Sequence, residues 1–346
     1  MSAFVSMPRT ILGAHKISTE DITDDIRNRH PDHPRLAVIL RVLANCGVRT
    51  RYFTRPLDSP TVSGSAGVRE RAETAFGDAL AMAERAALTA LDSTSVPPED
   101  IDAIVTAHST GWSVPNLDVH LIARLGLRPN VRRTALTTLA CAGGTQALVR
   151  AADFIAVRPG SKVLVVAAET ISSVYNHNDT SVESMIYKSL FGDSAAATVV
   201  TGEPLGPGLV IDDSFEYTLP DSLDRYSGRI EADGLHFDST KKALSATDDV
   251  LPALLDWVGT RTPGFAVIHP GSPRIITDTA AALGLTPADA RHSTDTLSED
   301  GNLGGVSILR VLERTHAAPP PAGAKGVAVA YGPGFTTAAL HGHWHS

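Results

Sequence analysis

The sequence predicts an α/β protein with a largely parallel sheet, assembled from two similar parts, and three observations carry that prediction. From Val68 onward, apolar β-type runs alternate with helix-type runs, the pattern of βαβ units. Ser161 to Ala168 is a nearly continuous apolar run, as expected of a strand covered on both faces. Two loops also share a form: one delivers Cys141 ahead of Ala-Gly-Gly, the other delivers Asn302 ahead of Leu-Gly-Gly, and a small-residue helix follows each. A duplicated α/β unit would leave such a correspondence.

Each element has a local reason. After a short strand-like start, Ser18-Thr-Glu-Asp21 has capping-box spacing and opens an acidic helix, and a second apolar-periodic run covers Arg35 to Leu43. An Ala-rich amphipathic helix spans about Val68 to Leu91 and ends at Ser-Val-Pro-Pro. Strands at Ile101–His108, Arg133–Leu139 and Ser161–Ala168 alternate with helices at Pro115–Leu125 and Ala142–Val157. A further strand follows Phe191-Gly-Asp193. The Gly/Pro-rich link at Gly202–Gly208 then divides the chain into residues 1–205 and 206–346. Beyond it we expect strands at Leu209–Tyr217 and Arg229–Phe237, a helix at about Thr240–Val258 and a strand at Phe265–Ile268. Helices at Pro273–Leu283 and Gly304–Thr315 and strands at Gly326–Tyr331 and Thr336–Gly342 complete the reading.

Composition narrows the function. With 346 residues and 43% hydrophobic content the chain can bury a large core. A net charge of −8 with no basic cluster gives nothing to hold a phosphate backbone, so no nucleic acid is expected as a partner. No apolar run is long enough to cross a bilayer, so no membrane partner is expected either. There are two cysteines, Cys46 and Cys141, and no signal-peptide pattern, which points to a reducing cytoplasm.

Candidate chemistry centres on Cys141. It ends a β-type run and begins a helix, where unpaired N–H groups and the macrodipole favour a thiolate, and the two following glycines would let a substrate carbonyl approach the backbone. A buried cysteine also serves commonly as a small hydrophobe, so partners decide. Acyl transfer needs a base or cation beside the thiolate and donors for an oxyanion. His269 stands at the end of Phe265–Ile268 before Pro-Gly, and Asn302 lies between Gly301 and Leu303-Gly304 in a loop entering a helix. Each has a bland alternative, a polar strand end and an ordinary turn. In the loop after Cys46, Arg49, Arg51 and Arg55 suit an anionic ligand, though loop arginines are often simply solvated. His341, His343 and His345 alternate as on one strand face, which would suit a metal, but a solvated tail is the expected reading.

Five motifs in order resemble those of the type III polyketide synthases, the chalcone synthase family. They are Thr-Leu-Ala-Cys141-Ala-Gly-Gly, Leu-Phe191-Gly-Asp193-Ser, Val-Ile-His269-Pro-Gly-Ser-Pro, Ser-Glu-Asp-Gly-Asn302-Leu and Tyr-Gly332-Pro333-Gly334-Phe. The resemblance implies a thiolase fold of five alternating α/β layers made by two similar halves, a homodimer, acyl-CoA and malonyl-CoA as substrates, and neither cofactor nor metal. It implies Cys141 as nucleophile, His269 as the group stabilising its thiolate, and His269 with Asn302 as the donors to the thioester oxygen during loading and malonyl decarboxylation. Phe191 matches a gatekeeper between a CoA tunnel and the cavity, Arg49 and Arg51 match a basic stretch at the CoA phosphates, and Gly332, Pro333 and Gly334 match a loop shaping the cyclisation cavity.

Two departures bear on product. Gly304 stands where plant members carry a serine of a hydroxyl network linked to aldol closure, with Ser109 and Glu169 as the expected partners here. Trp112 stands where a smaller residue is usual and is expected to narrow the cavity. Both favour an α-pyrone lactone. The rival reading is a β-ketoacyl-ACP synthase III-like condensing enzyme or acyltransferase, with the same three residues and an acyl carrier protein as partner. A non-catalytic thiolase-fold subunit is the alternative of another class, and the joint presence of Cys141, His269 and Asn302 argues against it.

Overall fold

A computed structural model describes residues 2–346. The first part of the chain runs β1 (Ala3–Val5), β2 (Arg9–Leu12), β3 (His15–Ser18), α1 (Thr19–Arg29), α2 (Leu36–Ala44), β4 (Thr50–Phe53) and α3 (Val68–Thr94). It continues through β5 (Ala103–His108), α4 (Leu117–Leu125), β6 (Arg132–Thr137), α5 (Gly143–Val157), β7 (Lys162–Glu169), α6 (Val182–Tyr187) and β8 (Ser194–Thr201). After the Gly/Pro-rich link come β9 (Gly208–Thr218), β10 (Tyr226–Glu231), β11 (Gly234–Ser239), α7 (Ala246–Val258), β12 (Phe265–Ile268) and α8 (Pro273–Ala282). The chain closes with α9 (Arg291–Asp300), α10 (Ser307–Ala317), β13 (Lys325–Gly332) and β14 (Thr336–His345).

One sheet spans the molecule in the order β12-β13-β14-β9-β1-β8-β7-β5-β6, with β2 paired to β8. The pairs β5–β6, β5–β7 and β12–β13 are parallel, and β1 lies antiparallel between β8 and β9. Helices make three layers around it. Buried alanines of α3 and the apolar face of α4 cover β5, β7 and β8 from outside. On the other side, α7 and α8 cover β12 and β13. Helices α5 and α10 touch each other in the middle and share one core with strands from both parts. That is the expected α/β layering, and β7 and β8, buried along nearly their whole length, show why their sequences read as continuous apolar runs.

Local signals behave as their chemistry predicts. Ser18 and Asp21 form a reciprocal capping box on α1. Three features differ from expectation. The run expected as one strand at 229–237 is a hairpin, β10–β11, turned at Ala232–Gly234 with Gly234 at φ +138°. Helix α9 was not expected, because its inward face carries Ser293, Thr296 and Asp300 beside a single Leu297, so its apolar periodicity is faint. The terminal histidines are no solvated tail: β14 is bonded on both sides, His341 is buried, and His343 Nδ1 lies 2.7 Å from Asp212 Oδ2. Among the described residues no group of three His, Cys, Asp or Glu side chains could hold a metal, and no helix is long and apolar enough to cross a membrane.

Candidate active site

The chain leaves β6 through a contorted turn in which Thr138 and Ala140 hold φ of +61° and +46°. Such backbones cost about 1–3 kcal/mol each and persist where packing enforces them. Cys141 follows in a single 3₁₀ turn, Ala140–Ala142, that runs into α5. The two glycines after it have a different use from the one expected. A Cβ on Gly144 would lie 2.1 Å from the carbonyl oxygen of Gly305, so Gly144 admits the second loop, and a Cβ on Gly143 would lie 3.2 Å from Ala107 Cβ.

That second loop carries Asn302. Its peptide is bound on both sides to the Phe191 segment, with Asn302 N–H donating to Leu190 O at 2.8 Å and Gly192 N–H donating to Asn302 O at 3.1 Å. The side-chain Oδ1 accepts Gly304 N–H at 2.9 Å. His269, one residue beyond β12, is held by its own N–H to Val329 O at 2.8 Å, and its buried Nδ1 has no partner. Cys141, His269 and Asn302, which lie far apart in sequence, line one cavity of about 1270 Å³. This exceeds the roughly 300–1,000 Å³ of ordinary ligand pockets.

Burial dominates the electrostatics. Cys141 is part-buried on the cavity wall, and desolvation by the protein around it pushes its pKa up to about 12; the nearby Glu169 charge adds to this, and a hydrogen bond from Asn302 opposes it. Desolvation alone pushes His269 down to about 3. Burial thus makes either charge costly on its own. Glu169, fully enclosed, is raised to about 7 by burial, although Thr110 Oγ1 donates to it at 2.9 Å and Ser109 N–H at 3.2 Å.

The remaining expected residues divide. Phe191 lines the cavity, its ring centroid 5.7 Å from Tyr187 and 6.3 Å from Phe237. Ser109 lines it and accepts Ala140 N–H at 2.9 Å, tying the Cys141 turn to Glu169. Gly332 and Pro333 line it, and Gly332 abuts the Cys141 turn, where a Cβ would sit 2.9 Å from Ala142 Cβ; Gly334 is not part of the wall. Gly304 lines it at φ +58°, and a Cβ there would lie 3.0 Å from Ile171 Cδ1.

Three expectations need correction. Arg51 cannot meet a ligand. Its residue is fully buried, and its guanidinium donates to Ser189 O, to Thr19 Oγ1 at 2.9 Å and to Ile17 O at 3.5 Å. Trp112 does not fill the cavity: it stands at the rim, 76% exposed. Arg49 is exposed but outside the cavity wall, bonded to Ser298 Oγ at 2.8 Å.

Cavity residues not foreseen include Phe237, Arg41 and Lys241. Phe237 was hidden by reading the hairpin as one strand. Arg41 did have a signal, as the single charge in the apolar helix Leu-Ala-Val-Ile-Leu-Arg-Val-Leu-Ala. Among the described residues neither Arg41 nor Lys241 has a carboxylate partner, whereas Arg274 on the same wall bonds Asp248 at 2.8 Å and Asp278 at 2.9 Å.

A thiolase-like α/β fold that presents a thiol, an imidazole and a carboxamide to one cavity defines an acyltransferase of that class. Residues 28–204 match the description "Chalcone and stilbene synthases, N-terminal domain" and residues 211–343 its C-terminal counterpart. The chain belongs to that family, the type III polyketide synthases. It is 32% identical over 348 residues to 1,3,6,8-tetrahydroxynaphthalene synthase of Streptomyces griseus, covering 99% of this chain and 93% of the relative. It is 29% identical over 339 residues to an alpha-pyrone synthesis polyketide synthase-like protein of Mycobacterium tuberculosis, covering 92% and 86%. The solved structure of germicidin synthase from Streptomyces coelicolor superposes with a TM-score of 0.94 at 30% identity, over 99% of this chain and 100% of the other. Membership of this family sets aside the carrier-protein-dependent condensing enzyme as the leading alternative.

Proposed function

We propose that this polyketide synthase loads an acyl group from a CoA thioester onto Cys141 and extends it with malonyl-CoA. His269 takes the thiol proton as sulfur attacks the thioester carbonyl, and CoA leaves with a proton. Malonyl-CoA then loses carbon dioxide: its C–C bond breaks, and the electron pair moves onto the thioester oxygen, which accepts hydrogen bonds from Asn302 and His269. The enolate carbon attacks the Cys141 thioester, and the sulfur leaves. The observation that carries this reading is the Asn302–Gly304 contact inside a cavity shared with Cys141 and His269, because it leaves the amide N–H groups free to donate.

Arg41 and Lys241, unpaired cations on the cavity wall, suit the CoA phosphates better than Arg49 or the buried Arg51. For product we propose an α-pyrone. Gly304 offers no hydroxyl, and its positive φ with Ile171 Cδ1 3.0 Å from a Cβ disfavours a serine there, so this position does not steer an enolate toward aldol closure. Lactonisation needs only an enol oxygen to attack the terminal thioester carbonyl, break the C–S bond and return its proton to the departing thiolate. Trp112, on the rim, contributes nothing to this choice. Incubation with malonyl-CoA and a panel of acyl-CoAs, read by product mass and fragmentation, tests the reading. Pyrones are the expected result. A resorcinol or naphthalene-type ring as main product overturns the lactone assignment, and no condensation with any starter overturns the whole.

A further inference from the structure

Two residues beyond Phe191 lies a carboxylate that this chemistry does not use. Asp193 is fully buried and, among the described residues, has no ion-pair partner. Four donors converge on it instead. Ser172 N–H reaches Oδ1 at 2.7 Å, while Oδ2 takes Ser172 Oγ at 2.6 Å, Thr54 N–H at 2.8 Å and Thr54 Oγ1 at 3.3 Å. Its backbone is held too, with Asp193 N–H on Tyr52 O at 2.7 Å and Gly13 N–H on Asp193 O at 3.0 Å.

A buried carboxylate without a cation is poorly explained by stability, since desolvation costs several kcal/mol. Geometry explains it better. Asp193 ends the segment whose preceding residues, Leu190 and Gly192, grip both sides of the Asn302 peptide. Its carboxylate pins that segment to the turn after β7, where Ile171 lines the cavity, and to the end of β4. Arg51 secures the other end of the same segment through Ser189 O. The stretch 189–193 is therefore clamped at both ends to β4, with Phe191 and the Asn302 bridge between the clamps.

We infer that Asp193 is a positioning residue for the decarboxylation step: it sets where Asn302 presents its amide, acting through Leu190 and Gly192, and touches no substrate itself. This rests on the proposed role of Asn302. A carboxylate suits the task because it only accepts, as four converging donors require. In Asp193→Asn the amide nitrogen must face at least one of those donors, which displaces the segment while preserving volume. A shift of about 1 Å at a catalytic group can cost about 100-fold in rate.

The test separates steps. Malonyl-CoA decarboxylation is followed as released carbon dioxide, and Cys141 loading by an acyl-CoA is followed by intact mass, for the wild type, D193N, N302A and the double variant. We expect D193N to lower kcat for decarboxylation at least tenfold, with KM and the loading rate within about threefold of wild type. The double variant should be no slower than N302A alone, the non-additivity of residues acting through one another. Multiplying effects, or an equal loss of loading and decarboxylation, overturn the inference. If D193N does not fold, Ser172→Ala removes one donor and keeps the N–H; a smaller but equally step-selective loss supports the inference and a uniform loss overturns it. A wild type that does not decarboxylate, or an N302A protein of normal rate, overturns the proposed role of Asn302 and this inference with it.

Discussion

The Oδ1 of Asn302 accepts the backbone N–H of Gly304 at 2.9 Å, so this amide has one orientation, with its nitrogen toward the Cys141 sulfur. An aspartate could accept the same bond but could not donate when ionised. Asn302→Asp and Asn302→Ala should therefore both slow malonyl-CoA decarboxylation by about 10²–10³-fold, the usual loss for one oxyanion donor. Acylation of Cys141 should persist, as intact mass spectrometry will show; parallel loss of both steps would contradict the assignment.

Cys141→Ala should remain folded and take no acyl adduct. Cys46 lies on the same cavity wall but sits in the core beside Val48 and Leu297. Cys46→Ala is expected to retain the adduct and most of the product yield. If Cys141→Ala still makes product at the wild-type rate, the covalent mechanism fails.

Glu169 sets a pH dependence. Burial holds its carboxyl near 7, so the group is mostly neutral below that pH and charged above it. The charge, once formed, disfavours the Cys141 thiolate. Glu169→Gln should leave the iodoacetamide rate of Cys141 unchanged at pH 6 and raise it about threefold or more at pH 8. Identical pH profiles for the two proteins would remove Glu169 from the electrostatics of the thiol.

The arginines are distinguished by what each loses. Reversing Arg41 and Lys241 to glutamate should raise KM for CoA thioesters about tenfold and alter kcat little, as loss of uniform binding does. Arg51→Ala should act on stability, since it strands buried acceptors at Ser189 and Ile17. A cost of about 3 kcal/mol or more follows, seen as a melting temperature lower by roughly 4 °C or more. A pure KM effect for Arg51→Ala would restore its place at the ligand.

How much of this was legible in the sequence depended on period and context. Alternation of apolar runs disclosed the layered fold, and Cys141, His269 and Asn302 stood out because each sits beside glycine or proline where a regular element begins or ends. Arg51 misleads because Thr50–Phe53 reads as a loop. It is a strand, in which Arg51 and Phe53 face inward together, and two-residue periodicity in four residues is a weak signal. Arg41 went unnoticed because a lone charge on an apolar helix looks like its solvent side. Trp112 differs from expectation because nothing local in a sequence says whether a ring points into a cavity or across its rim.

The contact of Gly144 with Gly305 has a consequence for how this chain matures. These two residues sit at the starts of the two central helices, and they meet more closely than any side chain would allow. The pocket around the thiol therefore has no existence in either part alone. In a chain whose two parts have not docked, Cys141 is expected to react as an ordinary solvated thiol. Protection and tuned reactivity of a single sulfur thus become a gauge of whether both parts have come together, readable in a refolding time course without any substrate.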